Sequence, residues 1–468
     1  MPATTVTLVD GVRVVVPDSL ELITPYVLLE QEDWFEDEVK FLRRLLEPGQ
    51  AVIDIGANYG LYTLTMARTV GPAGRVWAFE PATETMRLLA LGVAANGYSH
   101  VTLERCALSA AGGTAVLSLN TDSEKNALLR GTPGSGAAET VAVTTLDECM
   151  KRHGWRDVEF IKIDAEGEEA NILKGGERFL SESSALVQFE IRAQADVHLE
   201  LVDAFAALGY RSYRLVPGLD LLAPFDGTAP DGFLLNLFCC KPDRARRLAA
   251  RGYLLEDDER SRGQARVDAT ARARNEAYHW RRTIAGRPYG SRLSGLWERT
   301  LAGSECAELT GALALYAVSR DASLPPAERF GALEAGLDSL KALCEREASR
   351  LRLASLARMA RDYGARSLAV GALQHLADAV LAGQYQRVDA SEPFLAPGER
   401  FDSVAPGDSI GKWVLAAVLE EFERLDHYSS FYRGVSARAR LEAIRDLGFG
   451  SPEMARRLAL VHRRFGPG

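Results

Sequence analysis

The sequence predicts an α/β domain, its mostly parallel sheet ending in an antiparallel hairpin, followed by an all-helical C-terminal domain. Three observations carry that expectation. Short apolar runs alternate with helix-length amphipathic stretches from residue 51 to about residue 210, the pattern of a parallel sheet covered by helices. Two more strand-like runs, 210–216 and 233–240, are joined by a loop rich in Gly, Pro and Asp. Without a helix between them, the last strand should run antiparallel. Beyond Pro242 strand signals fade and helical periodicity dominates.

The chain has 468 residues, enough for two or three domains. Residues 5–16 read as a hairpin around Asp10-Gly11, and "WFEDEVKFLRRLL" (34–46) as a helix that stops before Pro48-Gly49. Together, residues 1–50 lead into a domain at 51–242. Its strands are expected at 51–55, 75–80, 101–106, 159–164 and 185–191, with helices such as 83–96 between them. The long gap between residues 106 and 159 holds an extra strand pair, "GTAVLSL" and "ETVAVTTL", with a Gly/Ser-rich bridge, "GTPGSGAAE". Residues 243–300 read as an Arg-rich linker or connecting helices, with 15 Lys/Arg against 8 Asp/Glu over 241–300. Residues 301–468 read as a helical, repeat-like domain, with a helix hairpin across "DYGARS".

Composition narrows the functional classes. A 47% hydrophobic and 25% charged chain is globular. A formal net charge of −9 gives no electrostatic case for nucleic acid, and no apolar run is long enough for a membrane span. The N-terminus lacks an export signal, so a cytoplasmic protein is expected. Six scattered cysteines read as buried free thiols rather than disulfides or zinc ligands. Arg outnumbers Lys heavily and Ala is abundant, as in GC-rich bacterial genomes.

The chemistry is concentrated in "AVIDIGANYGLYTLTMAR" (51–68). An apolar strand ends at Asp54 and turns through Gly56, where backbone can approach a ligand without a Cβ in the way. A dinucleotide site would want G-x-G-x-x-G; D-x-G-A-N-x-G puts a carboxylate where a pyrophosphate would be repelled. A ligand with a cationic amino or sulfonium group, such as S-adenosylmethionine, suits it better. The next strand ends at Glu80, placed for hydrogen bonds to ribose hydroxyls. In "FIKIDAEGEEANILKGG" (160–176), Lys162 and Asp164 share one face of a strand. Burying both is costly unless they are paired or serve a ligand. Asp164, Glu166 and Gly167 follow at the carboxyl edge, where open α/β sheets bind ligands.

Together, "DIGANYG", "FEP", "ALS", "TTLDE" and "IKIDAEGEEANILKGG" resemble the FkbM-family S-adenosylmethionine-dependent methyltransferases over residues 5–241. The resemblance implies a Rossmann-like class I methyltransferase fold and methyl transfer to oxygen, often on a sugar, glycan or natural product. It also implies cofactor contacts from Asp54, Gly56, Ala57, Asn58, Gly60, Glu80, Ala107 and Asp164, with Glu36 near the cofactor mouth. A hydroxyl acceptor needs a general base; Asp164, Glu166, Glu190 and His198 are the candidates, with Lys162 as orienter. No metal is assigned, although a divalent ion on Asp164, Glu166 or Glu190 stays open. So do two other readings, a catalytically silent S-adenosylmethionine-binding scaffold and an NAD-dependent oxidoreductase on a related fold. The helical domain is expected to grip the acceptor or to drive self-association. Its aromatic and Arg-bearing segment 278–290 suits a sugar, phosphate or acidic glycan about as well as it suits solvated linker arginines, and segment 426–434, of similar mix, reads by default as packing of the C-terminal helices.

Overall fold

The computed structural model describes residues 2–129, 137–193, 196–256, 258–301, 306–381 and 390–466. Two compact units emerge: Met1–Leu215 with Leu222–Pro230 and Leu234–Glu256, and Asp257–Gly468 with Val216–Leu221 and Asp231–Phe233. The first is the sheet unit. Its eight strands run in the order Leu221–Pro224, Arg211–Val216, Asn236–Cys240, Leu186–Glu190, Val158–Ile163, Ala51–Ile55, Arg75–Phe79 and Val101–Glu104. The last five are mutually parallel, and Asn236–Cys240 is antiparallel to both of its neighbours Leu186–Glu190 and Arg211–Val216.

The expected sheet is therefore present, with two additions. Leu221–Pro224 forms an edge strand inside a stretch whose Gly218 and Pro224 read as loop. Helix Ile23–Gln31 is buried on most of its surface, so it lacks the two-sided pattern that marks an amphipathic helix. The extra strand pair is Gly113–Ser118 against Ala138–Thr144, joined by Ala107–Leu108. Residues 131–136 of the Gly/Ser-rich bridge lie outside the described residues.

The Arg-rich stretch divides. Helix Pro242–Ala250 belongs to the sheet unit, because Ala245 and Leu248, three apart on one face, enter its core. Arg244 anchors the same helix by donating to the Ser184 carbonyl at 2.7 Å and pairing with Glu159. Helix Glu259–Arg272 onward falls in the second unit.

That unit is helical. The expected hairpin is Arg350–Tyr363 followed by Arg366–Leu381, turned at Gly364 with φ +91°. Segments 278–290 and 426–434 serve packing: Trp280 and Tyr289 are fully buried, and the Tyr289 hydroxyl donates to the Phe394 carbonyl at 2.9 Å. Arg281 pairs with Glu298 at 2.6 Å, Arg287 with Asp402 at 2.6 Å and Arg433 with Asp426 at 3.0 Å. These guanidinium groups already have partners. Among the described residues no helix is long and apolar enough to cross a membrane.

Candidate functional site

Three central strands carry a polar residue at the same level. Lys162 lies opposite Asp54 on one neighbouring strand and opposite Gln188 on the other. All three are buried, and each has apolar residues on either side along its strand. Two residues further along, the same strands deliver Gly56, Asp164 and Glu190 to the carboxyl edge of the sheet. An open cleft with about 1060 Å³ of empty space lies there.

Gly56 explains how the turn fits. Its φ is +79°, and a Cβ built there would sit 1.7 Å from the Asp164 carbonyl oxygen. No other residue could occupy the position without moving the neighbouring strand. Asn58 also takes a positive φ, +47°, which Asn tolerates better than most residues. Its backbone N–H donates to Glu80 at 3.0 Å, and its side-chain oxygen accepts from the Ser123 hydroxyl at 2.9 Å. Glu80 also accepts from the Ala82 N–H at 2.9 Å. Both of its oxygens keep a lone pair for a ligand.

The electrostatics are dominated by acid. Burial pushes the Glu80 carboxyl up to about 7 and the Glu166 carboxyl up to about 8, the latter helped by neighbouring Asp164. Burial also raises Asp54 and Glu36, against the opposing pull of Lys162. Glu190 is pushed up to about 11 by burial and by the negative charges of Asp164 and Glu166. Burial alone would lower the Lys162 ammonium, yet Asp164, Asp54 and Glu36 outweigh it and hold the proton on. Lys162 donates to Asp164 at 2.6 Å and lies 4.6 Å from the centre of the Tyr62 ring. Asp54 accepts from the Thr63 hydroxyl at 2.5 Å through one oxygen; the other, Oδ1, is buried without a hydrogen-bond partner.

Glu36, Asp54, Gly56, Ala57, Asn58, Glu80, Ala107, Lys162, Asp164 and Glu166 all line the cleft. Glu36 directly precedes helix Asp37–Leu45, which is shorter at both ends than expected. Gly60 lies behind the lining, where a Cβ would come within 2.2 Å of Leu89 Cδ1; it lets two helices approach. Glu190 meets Asp164 and Glu166 at the edge, with carboxylate oxygens within 4.8 Å of one another, a spacing a divalent cation could bridge. His198 pairs with Glu200 at 2.7 Å and does not line the cleft.

Other lining residues were not anticipated. Tyr62 donates to Glu36 and accepts from Gln188 Nε2 at 3.0 Å. The Gln in the apolar run "ALVQFEI" was the available signal. Glu124 and Ser123 come from the Ser123–Lys125 turn, which nothing in the local sequence marks.

Residues 54–212 match the family model described as methyltransferase FkbM domain. No curated protein matches the chain. Similar solved structures include methyltransferase FkbM from Methylobacillus flagellatus KT, at 19% identity over 41% of this chain and 43% of that one, TM-score 0.29. A SAM-dependent O-methyltransferase from Thermotoga maritima has 15% identity over 51% of this chain and 78% of that one, TM-score 0.26. An rRNA methylase from Streptococcus thermophilus has 11% identity over 44% of this chain and 93% of that one, TM-score 0.26. The chain thus spans under half the length of the Methylobacillus FkbM structure.

Proposed function

We propose that the sheet unit, which carries an FkbM methyltransferase domain at residues 54–212, binds S-adenosylmethionine and methylates a hydroxyl oxygen of a sugar, glycan or natural product. The observation that carries this reading is Asp54: a carboxylate 1% exposed, lining the cleft, with one oxygen unpartnered. A buried charge left half-satisfied is costly unless a ligand completes it. The surrounding groups fit this cofactor. Asp54 and Glu36 suit its cationic end, the Gly56 turn admits close backbone approach, and Glu80 retains lone pairs for ribose hydroxyls. When bound, the cofactor supplies an electrophilic methyl carbon on a sulfonium centre.

What remains for the protein is to orient the acceptor and receive its proton. Glu166 suits the second task. Its carboxyl, pushed to about 8, has a proton affinity matched to transfer near neutral pH. Glu190, at about 11, holds its own proton there and orients rather than accepts. Lys162 fixes Asp164 through the 2.6 Å hydrogen bond.

Titration calorimetry with S-adenosylmethionine tests the assignment. The unmodified chain should bind it and Asp54→Ala should not; micromolar affinity in the variant would remove Asp54 from the cofactor site.

A further inference from the structure

The turn after the first central strand has a partner far along the chain. Gly56, Asn58 and Gly60 all take a positive φ, at +79°, +47° and +89°. The two glycines do so without a Cβ to strain, whereas Asn58 carries a side chain into the left-handed region. Two hydrogen bonds hold it there. Its N–H donates to Glu80 Oε2 at 3.0 Å, and its Oδ1 accepts from the Ser123 hydroxyl at 2.9 Å. Glu80 is aimed through both oxygens, since the Ala82 N–H donates to Oε1 at 2.9 Å. The Tyr59 side chain also hydrogen-bonds to Ser123.

Ser123 can hold Asn58 only if it is itself held. Its anchor is helix Ile23–Gln31. That helix has no capping side chain at Leu22 and no acid in its first turn, so the N–H groups that open it need acceptors from elsewhere. Pro25 has no N–H to satisfy. The Ile23 N–H donates to Asp122 at 3.2 Å, 99 positions further along the chain, and the Thr24 backbone donates to Glu124. The carboxylates on either side of Ser123 are thus fastened at the positive end of a helix. The turn is closed on itself as well, with the Asn120 N–H donating to Asn126 Oδ1 at 2.7 Å. Ser123, Asn58 and Glu80 all line the cleft.

Resting on the methyltransferase reading, in which Glu80 meets the ribose hydroxyls, we propose that Ser123 is a positioning residue for S-adenosylmethionine. It acts through Asn58. The Ser123 hydroxyl pins the Asn58 side chain, Asn58 keeps the left-handed turn, and its N–H fixes the Glu80 oxygen offered to the ribose. Released from Ser123, Asn58 relaxes toward the right-handed region that a residue with a Cβ prefers. Its N–H then swings away from Glu80, and ribose recognition weakens.

The test separates ribose recognition from the rest of the cofactor. The full chain is titrated calorimetrically with S-adenosylhomocysteine and with its 2′,3′-dideoxyribose analogue, which lacks both ribose hydroxyls. The unmodified chain should prefer S-adenosylhomocysteine. Ser123→Ala should shrink that preference by about fivefold, the size of one neutral hydrogen bond, with affinity for the analogue unchanged. Added to Asn58→Gly, Ser123→Ala should change nothing further, because no side chain remains for Ser123 to hold. A merely structural Ser123 would lower both affinities alike. That result overturns the proposal, as does a preference unaltered in Ser123→Ala or shrunk just as much in the Asn58→Gly background. Failure of the unmodified chain to bind S-adenosylhomocysteine, or equal affinity for the analogue, strikes instead the methyltransferase reading and its ribose assignment, so the two failures are distinguishable.

Discussion

The helical unit and the cleft of the sheet unit bury charge in opposite ways. In the helical unit, deeply buried charges meet their complements. Arg358, 1% exposed, reaches Asp362 and Asp402, each at 3.2 Å. Glu420, fully buried, pairs with Arg400 and Arg424, each at 2.8 Å, and Arg457 lies 3.0 Å from Glu453. At the cleft of the sheet unit one Lys serves three acids, and Asp54, the buried one of the three, keeps an oxygen unpartnered. A closed network of matched charges holds a fold together; an open surplus of one sign belongs to a ligand site.

That contrast breaks most visibly at Arg358. Arg358→Ala leaves Asp362 buried without its main cation, and should cost the helical unit about 3–5 kcal/mol in chemical denaturation followed by helical circular dichroism. The double variant Arg358→Met/Asp362→Leu should recover most of that loss, since it removes both charges together. If the single variant unfolds no more easily than the parent, the network is not a source of stability.

Asp54→Ala should behave in the reverse manner. Removing a buried, half-satisfied carboxylate should leave stability unchanged or raise it, while S-adenosylmethionine affinity falls by at least about 100-fold. A variant that loses both together would place Asp54 with the structural charges. Glu166→Gln comes next: turnover should fall by about 100-fold with cofactor affinity retained, the effect of losing a general base. Unchanged turnover would exclude it from that role.

The pH dependence of the sheet unit follows with its sign. Burial, then the nearby Asp164 charge, raise the Glu166 carboxyl to about 8, so its base form shrinks about tenfold per unit below that pH. Turnover should climb toward pH 8 and then level off. Stability should move oppositely. The native state holds a proton on Glu166 that the unfolded chain, with its ordinary carboxylate, has released above about pH 4.3. This contribution is fully present at low pH and is lost as pH rises through about 8. A pH–rate profile and a series of denaturation midpoints, compared between the parent and Glu166→Gln, would separate the two trends.

The same contrast explains what could be read before the structure. Strand positions were legible because Asp54, Lys162 and Glu80 stand out against apolar runs, and because Gly56 marks the turn. Their convergence was legible too, since parallel strands bring their carboxyl ends to one edge. Glu124 was not. Its place in the cleft wall arises from a loop whose Ser123 returns to Asn58 from 65 residues further along the chain, and no local pattern encodes that return. His198 was a fair candidate by residue type, yet it does not line the cleft, and its Nδ1 meets Glu200 two positions on. The Arg-rich segment left two readings open for a physical reason: an excess of positive charge over a window does not show that individual guanidinium groups, such as Arg287 beside Asp402, are already paired.

The smallest effect tests the border between the two kinds of buried polarity. Tyr62 belongs to the cleft wall, yet its hydroxyl does structural work, donating to Glu36 and accepting from Gln188. Tyr62→Phe keeps the ring beneath Lys162 and removes only that bridge. It should destabilise the sheet unit by about 1–2 kcal/mol, because a half-buried acceptor, Glu36, and a buried donor, Gln188, each lose a partner. Glu36, deprived of the donor that favours its charged form, should protonate more readily and offer less negative charge to a cationic cofactor. A modest loss of S-adenosylmethionine affinity, shrinking as pH rises, would identify the bridge as part of the binding surface. A loss of stability with no pH-dependent change in affinity would assign it to the scaffold beneath.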